Sequence, residues 1–394
     1  MVRQSQPIKI LVIFGATSLY GMERAVIETF DLLRPEFSPL FLISRTPKRL
    51  GLPLFEEIQR RKFAYEYLSD HTGWPRLAKP SSFAQFRRMM AGVVRGNLDA
   101  LRQIKKQDAI YLPNLFAAIY SILAILVCRL SRRRIIYHFH DIDPSNRILF
   151  TGLSLLITDY IHNTKTSQSR TVAKYKFVTR KANFIISCPI VNSRINSART
   201  SLSEVSGGRK NILFVGQVSR PKGILLLLEA FDIIRKKHDD VFFHIVGGCE
   251  NTEILERIRR RESESEPRLK FWDYQPTTSN FFREATIYVH PSLPSLFTES
   301  FGRGVVEAMA EGVPAVCFRS GALEELVVDQ ETGLICEEET PECLATALDR
   351  LIVDEGFRKR LGTQARERYE NLYSSNKVKE SWLAVFNEHA VAYN

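Results

Sequence analysis

Two segments of this chain each combine a buried strand, a glycine-containing turn and an amphipathic helix. The first is IKILVIFGATSLYGMERAVIETFDLL, where the pattern predicts a strand over Ile8–Phe14 and a helix over Glu23–Leu33. The second is NILFVGQVSRPKGILLLLEAFDIIRKK, with a strand over Ile212–Val215 and a helix over Ile224–Lys236. After each opening, short apolar runs alternate with longer amphipathic segments, which is typical of parallel sheets covered by crossover helices. The fold class is therefore predicted to be α/β.

The chain has 394 residues, which is long for a single hydrophobic core. We predict a Rossmann-like domain over residues 1–190, a Ser-, Asn- and Gly-rich linker over 191–210, and a second Rossmann-like domain over 211–373. The apolar spacing of residues 374–394 predicts an amphipathic C-terminal helix. Five parallel strands are expected in the second domain; after Ile212–Val215 they are Asp240–Gly248, Arg268–Tyr274, Ala285–Ser292 and Val313–Ser320.

The opening residues run directly into the first strand and lack the apolar region and cleavage site of a signal peptide. Six scattered cysteines without a C-x-x-C pair indicate reduced thiols rather than disulfides or zinc. The most apolar run, Leu115–Cys128, is shorter than the roughly 20 residues that span a bilayer, and it predicts a buried helix. We expect a cytoplasmic location. Any contact with the membrane is expected to be peripheral, on its inner face.

Positive charge is concentrated in the first half of the chain. Residues 1–198 contain 30 Lys and Arg against 13 Asp and Glu, whereas the whole chain has 55 against 44. A basic face attracts anionic lipid headgroups, phosphorylated acceptors or nucleic acid, and charge alone does not choose among these partners.

The segment HPSLPSLFTESFGRGVVEAMAEGVP joins a strand through a loop to a helix expected to begin near Phe301. A helix N-terminus suits a diphosphate, and Gly302 would let a phosphate approach the backbone. Glu299 precedes this helix and Glu307 follows eight residues later, a span of roughly 12 Å at helical rise. One carboxylate could bind a transferred sugar and the other a ribose. Alone, the spacing favours the plain structural interpretation, in which Glu299 is an acid at a helix N-terminus and Glu307 a surface acid.

The turn VGQVSRPKG places Arg220 and Lys222 at the entry of the next helix. These cations could neutralise phosphate oxygens and a nucleotide leaving group. The turn lacks P-loop spacing, and the loop from Gly15 to Glu23 lacks the G-x-G-x-x-G of dinucleotide sites. Asp141 and Asp143, with only histidines nearby, make a poor metal set, so no metal and no cofactor are predicted. His140, at a strand's C-terminal end, is favoured as a polar group on the acceptor side.

The string from Val289 to Ile335 resembles the E-x7-E signature region of glycosyltransferase family 4, also called the glycosyl transferases group 1 family. VGQVSRPKG, IVGG and the opening Gly-Met-Glu-Arg resemble other landmarks of that family, so the likeness spans nearly the whole chain. The matching signature positions are Glu299-Ser-Phe-Gly302, Glu307-Ala-Met-Ala, Gly312, Pro314, Glu325 and Thr332-Gly333.

This resemblance implies a GT-B fold, with two Rossmann-like domains facing across a cleft and the C-terminal helix crossing back to the first. It implies retaining, metal-independent transfer from a nucleotide-sugar to a lipid-linked or polysaccharide acceptor. The implied catalytic residues are His140, Glu299 and Lys222, and the implied donor-binding residues are Gly21, Arg220, Lys222, Phe301, Gly302 and Glu307.

Two positions depart from the family pattern: Gln217 replaces an arginine after the strand glycine, and Asp273 replaces a glycine after Phe-Trp. Arg220 could supply the missing charge. The alternative function is a non-catalytic protein that binds nucleic acid or lipid through the basic domain, although nucleic acid is not the expected partner. A sugar-nucleotide epimerase or a glycan phosphorylase would share the two-domain architecture.

Overall fold

A computed structural model describes residues 6–14, 21–43, 54–69, 82–140, 146–190, 202, 209–265, 268–275 and 277–388. The chain divides into two compact units. The first comprises Met1–Pro189 and Lys379–Asn394, and the second Ile190–Val378. Most of the predicted linker, 191–210, lies outside the described residues, and its last residue, Lys210, begins a strand.

The first unit is built on a seven-stranded sheet whose recorded pairings are all parallel, in the order β3-β2-β1-β4-β5-β6-β7. Its strands are β1 Ile8–Ile13, β2 Phe37–Ile43, β3 Ala64–Tyr67, β4 Ala109–Leu112, β5 Arg134–Phe139, β6 Asp159–His162 and β7 Ala182–Ile185. Its helices are α1 Gly21–Leu32, α2 Leu54–Arg60, α3 Phe83–Ile104, α4 Leu115–Ile119, α5 Ile122–Leu130, α6 Arg147–Ser154 and α7 Lys165–Lys174.

The second unit has a six-stranded parallel sheet in the order β10-β9-β8-β11-β12-β13. Its strands are β8 Lys210–Val215, β9 Val241–Val246, β10 Leu269–Phe271, β11 Ile287–His290, β12 Ala315–Phe318 and β13 Gly333–Cys336. Its helices are α8 Ile224–Ile234, α9 Thr252–Glu264, α10 Ser279–Glu284, α11 Arg303–Ala310, α12 Leu323–Leu326, α13 Pro341–Val353 and α14 Glu355–Leu372. Numbered within the unit, this order is 3-2-1-4-5-6, that of the Rossmann fold.

Both sheets follow from strands that are apolar on both faces, because helices cover a doubly wound sheet on either side. In β1, Ile10 to Ile13 are at most 1% exposed, and β9 is buried throughout. The predicted α/β architecture with two Rossmann-like domains is confirmed. The predicted strand count was wrong by one: β13 is a sixth strand, paired with β12.

The apolar run Leu115–Cys128 is not the single buried helix that its composition predicts. It forms two helices, α4 and α5, separated at Tyr120 and Ser121. The side-chain amide of Asn97 occupies the break: its Nδ2 donates to Ile119 O and its Oδ1 accepts from Leu123 N, at 2.9 and 3.0 Å. These bonds satisfy backbone groups that the interruption frees.

The C-terminal helix, α15 Ser375–Glu388, lies largely in the first unit. The Trp382 side chain is buried, its ring centroid 6.2 Å from that of Tyr111 and 6.1 Å from that of His138. Arg134 donates to Val385 O at 2.9 Å. The predicted return of this helix to the first unit is confirmed. Among the helices of the described ranges, none combines the length and apolar composition needed to cross a membrane.

Candidate active site

The strand order of the second unit changes direction between β8 and β11. In open α/β sheets, ligands bind beyond the carboxyl ends of the strands at such a switch point. The segment after β8 carries Lys222, at the end of the short 3₁₀ turn Arg220–Lys222, and the segment after β11 carries Glu299. The topology therefore brings together two predicted site residues that are 77 positions apart in sequence.

The Glu299 carboxylate is the centre of the hydrogen-bond network at this switch point. Its Oε1 atom accepts from Lys222 Nζ at 2.5 Å, from His290 Nε2 at 2.8 Å and from Ser292 Oγ at 2.5 Å. All three bonds from described side chains fall on Oε1, and Oε2 accepts none of them. The Glu299 side chain is only 7% exposed, so burial and the three bonds to Oε1 hold it in one orientation.

Burial alone would raise the pKa of Glu299, because it penalises the charged form. His290 and Lys222 each place positive charge beside the carboxylate and donate a hydrogen bond to it. Together these interactions outweigh burial and hold the pKa of Glu299 well below its usual range. Glu299 is therefore a carboxylate, an acceptor of hydrogen bonds, at every pH near neutrality.

A second layer of contacts orients His290. Its Nδ1 lies 3.0 Å from Tyr288 Oη, and that hydroxyl also donates to Val215 O at 3.2 Å. Burial raises the pKa of Tyr288 well above 10, so the phenol keeps its proton. A Cβ on Gly304 would lie 2.1 Å from Tyr288 Oη. The hydroxyl thus fills space that only glycine leaves open at the start of α11.

The Lys222 turn is fixed against the loop that follows β11. Gly223 has φ of 71°, and a Cβ there would lie 1.8 Å from Pro291 O. Leu293 N donates to Pro221 O at 2.9 Å. Lys222 Nζ also lies 4.2 Å from the centroid of the Phe297 ring, a cation–π arrangement. The Lys222 ammonium is therefore held by two contacts, with the Glu299 carboxylate and the Phe297 ring, on a turn that is itself fixed to the loop after β11.

Helix α11 begins at Arg303, with Gly302 as its N-cap at φ of 86° and Phe301 buried before it. A Cβ on Gly302 would lie 2.6 Å from Leu323 Cδ2, so the fold itself requires glycine at this position. Because only residues 303–307 of the Glu299-to-Glu307 segment are helical, that part rises about 6 Å, not the expected 12 Å. Glu307 accepts from Arg303 Nε at 2.9 Å.

The two remaining predicted donor-binding residues lie in different surroundings. Arg220 is exposed at the start of the 3₁₀ turn. Gly21, expected in a loop, is instead the first residue of α1 in the first unit, and a Cβ there would meet no atom within 4 Å. Packing therefore does not require glycine at position 21.

His140 lies in the first unit, directly after β5, and is buried. Its Nε2 is 3.2 Å from Tyr111 Oη, and that hydroxyl is 2.5 Å from His138 Nδ1. Burial lowers the pKa of His140 to about 3, so its imidazole is neutral near pH 7. Asp141 and Asp143, the acids weighed as metal ligands, lie outside the described residues.

Sequence reasoning missed four residues of the site: His290, Ser292, Tyr288 and Phe297. His290 and Ser292 had a detectable signal, because polar residues at the carboxyl end of a predicted parallel strand face its ligand-binding edge. Tyr288 and Phe297 gave none, since buried aromatics at a strand or loop are normally core.

Comparison with known proteins agrees with this geometry. Residues 202–368, which contain Lys222 and Glu299, match the family model described as glycosyl transferases group 1. An uncharacterized glycosyltransferase of Haemophilus influenzae is 29% identical over 273 residues, covering 68% of this chain and 73% of that protein. The chain is a glycosyltransferase. The matched family region lies entirely in the second unit of this enzyme.

Two further relatives of this glycosyltransferase support the family and the fold. The capsular polysaccharide biosynthesis glycosyltransferase CapM of Staphylococcus aureus is 27% identical over 44% of the chain, a match spanning less than half (45%) of CapM. The crystal structure of Anabaena HepE in complex with UDP and glucose superposes with a TM-score of 0.74 at 17% identity, covering 97% of this chain and 100% of HepE. That likeness shows the GT-B fold.

Proposed function

We propose that the chain is a retaining, metal-independent glycosyltransferase of family 4, which moves a sugar from a nucleotide-sugar to a lipid-linked or polysaccharide acceptor. The observation that carries this proposal is the buried Glu299 carboxylate, bound through Oε1 by Lys222, His290 and Ser292 at the switch point of the second unit. Similarity to HepE, whose structure contains UDP and glucose, supports the donor class, and similarity to CapM, a glycosyltransferase of capsular polysaccharide biosynthesis, supports the acceptor class.

In this proposal Glu299 Oε2 accepts hydrogen bonds from hydroxyl groups of the transferred sugar. Because Oε1 is already held by three donors, the carboxylate pays little ordering entropy when the sugar binds. An ionised acceptor in a water-poor site also stabilises the positive charge that develops on the sugar ring as the bond to the leaving group breaks.

Lys222 and the start of α11 would hold the diphosphate. A nucleoside diphosphate leaves with an added negative charge, and a nearby ammonium and the free N–H groups of a helix N-terminus stabilise that charge without a metal. Glu307, about one turn into α11, is the proposed ribose acceptor, and Arg303, which donates to it in the structure, would then turn to the ligand or to solvent. Arg220 is the proposed replacement for the family arginine absent at Gln217.

His140 stays a predicted catalytic residue. A neutral imidazole can donate one hydrogen bond and accept another, which suits contact with uncharged sugar hydroxyls. We propose no cofactor, and a cytoplasmic enzyme that contacts an anionic membrane peripherally, because the basic charge is concentrated in residues 1–198.

Turnover of labelled UDP-, GDP- and ADP-sugars by purified protein tests this function. Lys222→Met and Glu299→Gln should each lower transfer or donor hydrolysis about 100-fold, the effect typical of losing one group that stabilises developing charge. The matched controls Lys237→Met and Glu253→Gln, exposed residues of the same unit, should keep wild-type rates.

A donor that binds should also raise the midpoint of thermal unfolding of the wild type, because it binds only the folded state. Equal turnover in wild type and both site variants, all folded by circular dichroism, would refute the catalytic assignment. Salt-sensitive binding of RNA or DNA with no affinity for any sugar-nucleotide would favour the non-catalytic alternative. Analysis of the labelled product separates transfer from epimerisation and phosphorolysis.

A further inference from the structure

Helix α3 exposes a continuous apolar strip on the surface of the first unit. The strip residues are spaced three or four apart, so they lie on one face of the helix. Phe83 is 80% exposed and Val94 is 55% exposed, values unusual for large apolar side chains in such a row. At 1.5 Å per residue the strip is roughly 22 Å long. Its members are Phe83, Phe86, Met90, Val94 and Leu98.

The neighbouring helix α5 is exposed in the same manner, with Leu123, Leu126 and Leu130 again three and four apart. The two helices are fastened together by Asn97 of α3, whose Oδ1 accepts from Leu123 N at 3.0 Å. We call the exposed apolar side chains of both helices the α3–α5 face. A patch of this extent marks an interaction surface rather than ordinary scattered exposure.

The exposed charges of these two helices are all positive. Arg87, Arg88, Arg95 and Arg102 of α3 are exposed, and Arg129 is exposed near the end of α5. The α3 sequence has a single acid, Asp99, which is buried and accepts from Ser69 N at 2.7 Å. The α5 sequence has none. Arginines that border an apolar strip, without exposed carboxylates on either helix, complement a surface that is both apolar and anionic.

We propose that the α3–α5 face docks the protein on an anionic lipid bilayer, an assignment that rests on the peripheral membrane contact of the proposed function. The apolar strip would lie in the boundary between headgroups and acyl chains, and the arginines on lipid phosphates. A helix with one apolar face and a basic border is the arrangement that lies in a membrane interface. Nucleic acid fits less well, because the aliphatic side chains of Met90, Val94 and Leu98 would strip water from phosphates and sugar hydroxyls without offering hydrogen bonds or a stacking surface for bases.

Flotation with vesicles of phosphatidylcholine alone and of equal parts phosphatidylcholine and phosphatidylglycerol tests the proposal on the full chain. Wild type should float only with the anionic vesicles. Arg88→Gln/Arg95→Gln should weaken the apparent affinity about thirtyfold, since each arginine near such a surface contributes about fivefold. Met90→Ser/Val94→Ser should weaken it at least tenfold. The control pair Arg257→Gln/Val353→Ser alters an exposed cation and an exposed apolar residue of the second unit and should bind as wild type does.

Every variant should keep the wild-type thermal midpoint and wild-type hydrolysis of a nucleotide-sugar in solution, which separates this proposal from the proposed catalysis. Equal flotation of wild type and both α3 variants would overturn the docking assignment. Failure of the wild type to float with anionic vesicles would overturn it as well. Salt-sensitive binding of RNA would then assign the α3–α5 face to nucleic acid, and a dimer in sedimentation velocity would assign it to a second copy of the chain.

Discussion

At the level of single residues, the sequence predicts the charged centre of the site better than its supports. Glu299 and Lys222 stand in recognisable spacing beside glycines, and the structure joins their side chains at 2.5 Å. His290 is harder to find, because a histidine ending a buried strand usually has only a packing role. His290 holds Glu299 Oε1 although the two residues are nine positions apart in the chain. A strand-to-loop contact of this kind leaves no periodic pattern in the sequence.

Asp273 shows how a departure from a family pattern can be neutral for folding. Its φ is 45°, in the left-handed region that favours glycine. Aspartate is among the residues that tolerate this conformation, since its short side chain hydrogen-bonds locally. Here Asp273 Oδ1 accepts from Tyr274 N at 2.7 Å, and its carbonyl accepts from Gly247 N at 3.0 Å. The turn is therefore kept without glycine.

Burial of His140 predicts an acid-sensitive first unit. Its folded pKa is about 3, whereas an unfolded histidine has a pKa near 6.5, so the unfolded chain binds more protons below that pH. The stability contribution of the neutral imidazole is complete above about pH 6.5 and is lost as pH falls towards 3, by about 2 kcal/mol at pH 5.

Urea unfolding at about pH 7 and pH 5 checks this expectation. His140→Gln should lose less unfolding free energy than wild type over that interval, by about 2 kcal/mol. Arg147→Gln, an exposed change in the same unit, should lose as much as wild type. An identical pH dependence for His140→Gln and wild type would show that the histidine is not buried in its neutral form.

At the level of elements, strand and helix positions follow from periodicity, and the errors have local causes. β13, GLIC, was missed because it begins with glycine directly after a turn, whereas the equally short β11 and β12 begin with apolar residues. The division of Leu115–Cys128 into α4 and α5 could not be predicted, because the group that stabilises the break, the Asn97 amide, comes from another helix. Tertiary hydrogen bonds override local composition at such points.

The contact between Tyr288 and α11 predicts an unusual response to alanine. Replacing glycine by alanine within a helix normally raises stability, by up to about 1 kcal/mol. Gly304→Ala should instead lower the unfolding free energy by about 1–3 kcal/mol, because its Cβ would lie 2.1 Å from Tyr288 Oη. Gly356→Ala is the matched control, also at the second position of a helix in this unit, where the nearest atom would be 3.6 Å away.

A double-mutant cycle identifies the hydroxyl as the cause. In a Tyr288→Phe background, Gly304→Ala should cost about 1–2 kcal/mol less than in wild type, because the nearest clashing atom is gone and only the ring carbon Cζ, at 2.8 Å, remains close. Chemical denaturation of the four proteins gives the coupling. Additive effects would mean that α11 shifts away from Tyr288 without strain, and that this contact does not position the helix.

At the level of the whole molecule, the number of domains can be predicted because each domain begins with its own strand, glycine turn and helix. It was harder to predict which unit the last helix packs against, because α15 directly follows the second unit in sequence. The physical signal was its apolar spacing, and the structure places Trp382, at 1% exposure, within the core of the first unit.

This placement predicts which unit is destabilised when the Trp382 side chain is removed. Trp382→Ala should cost about 3–5 kcal/mol, as expected for truncating a buried tryptophan. Amide hydrogen exchange should become faster in β4 and β5, which carry the contacting Tyr111 and His138, while β8 of the second unit keeps its protection. Trp272→Ala is the matched control, because Trp272 packs on Phe281 in the second unit. Its loss should make amide exchange faster in the strands of the second unit instead. Faster exchange in β8 than in β5 for Trp382→Ala would place α15 energetically with the second unit and contradict the division of the chain described above.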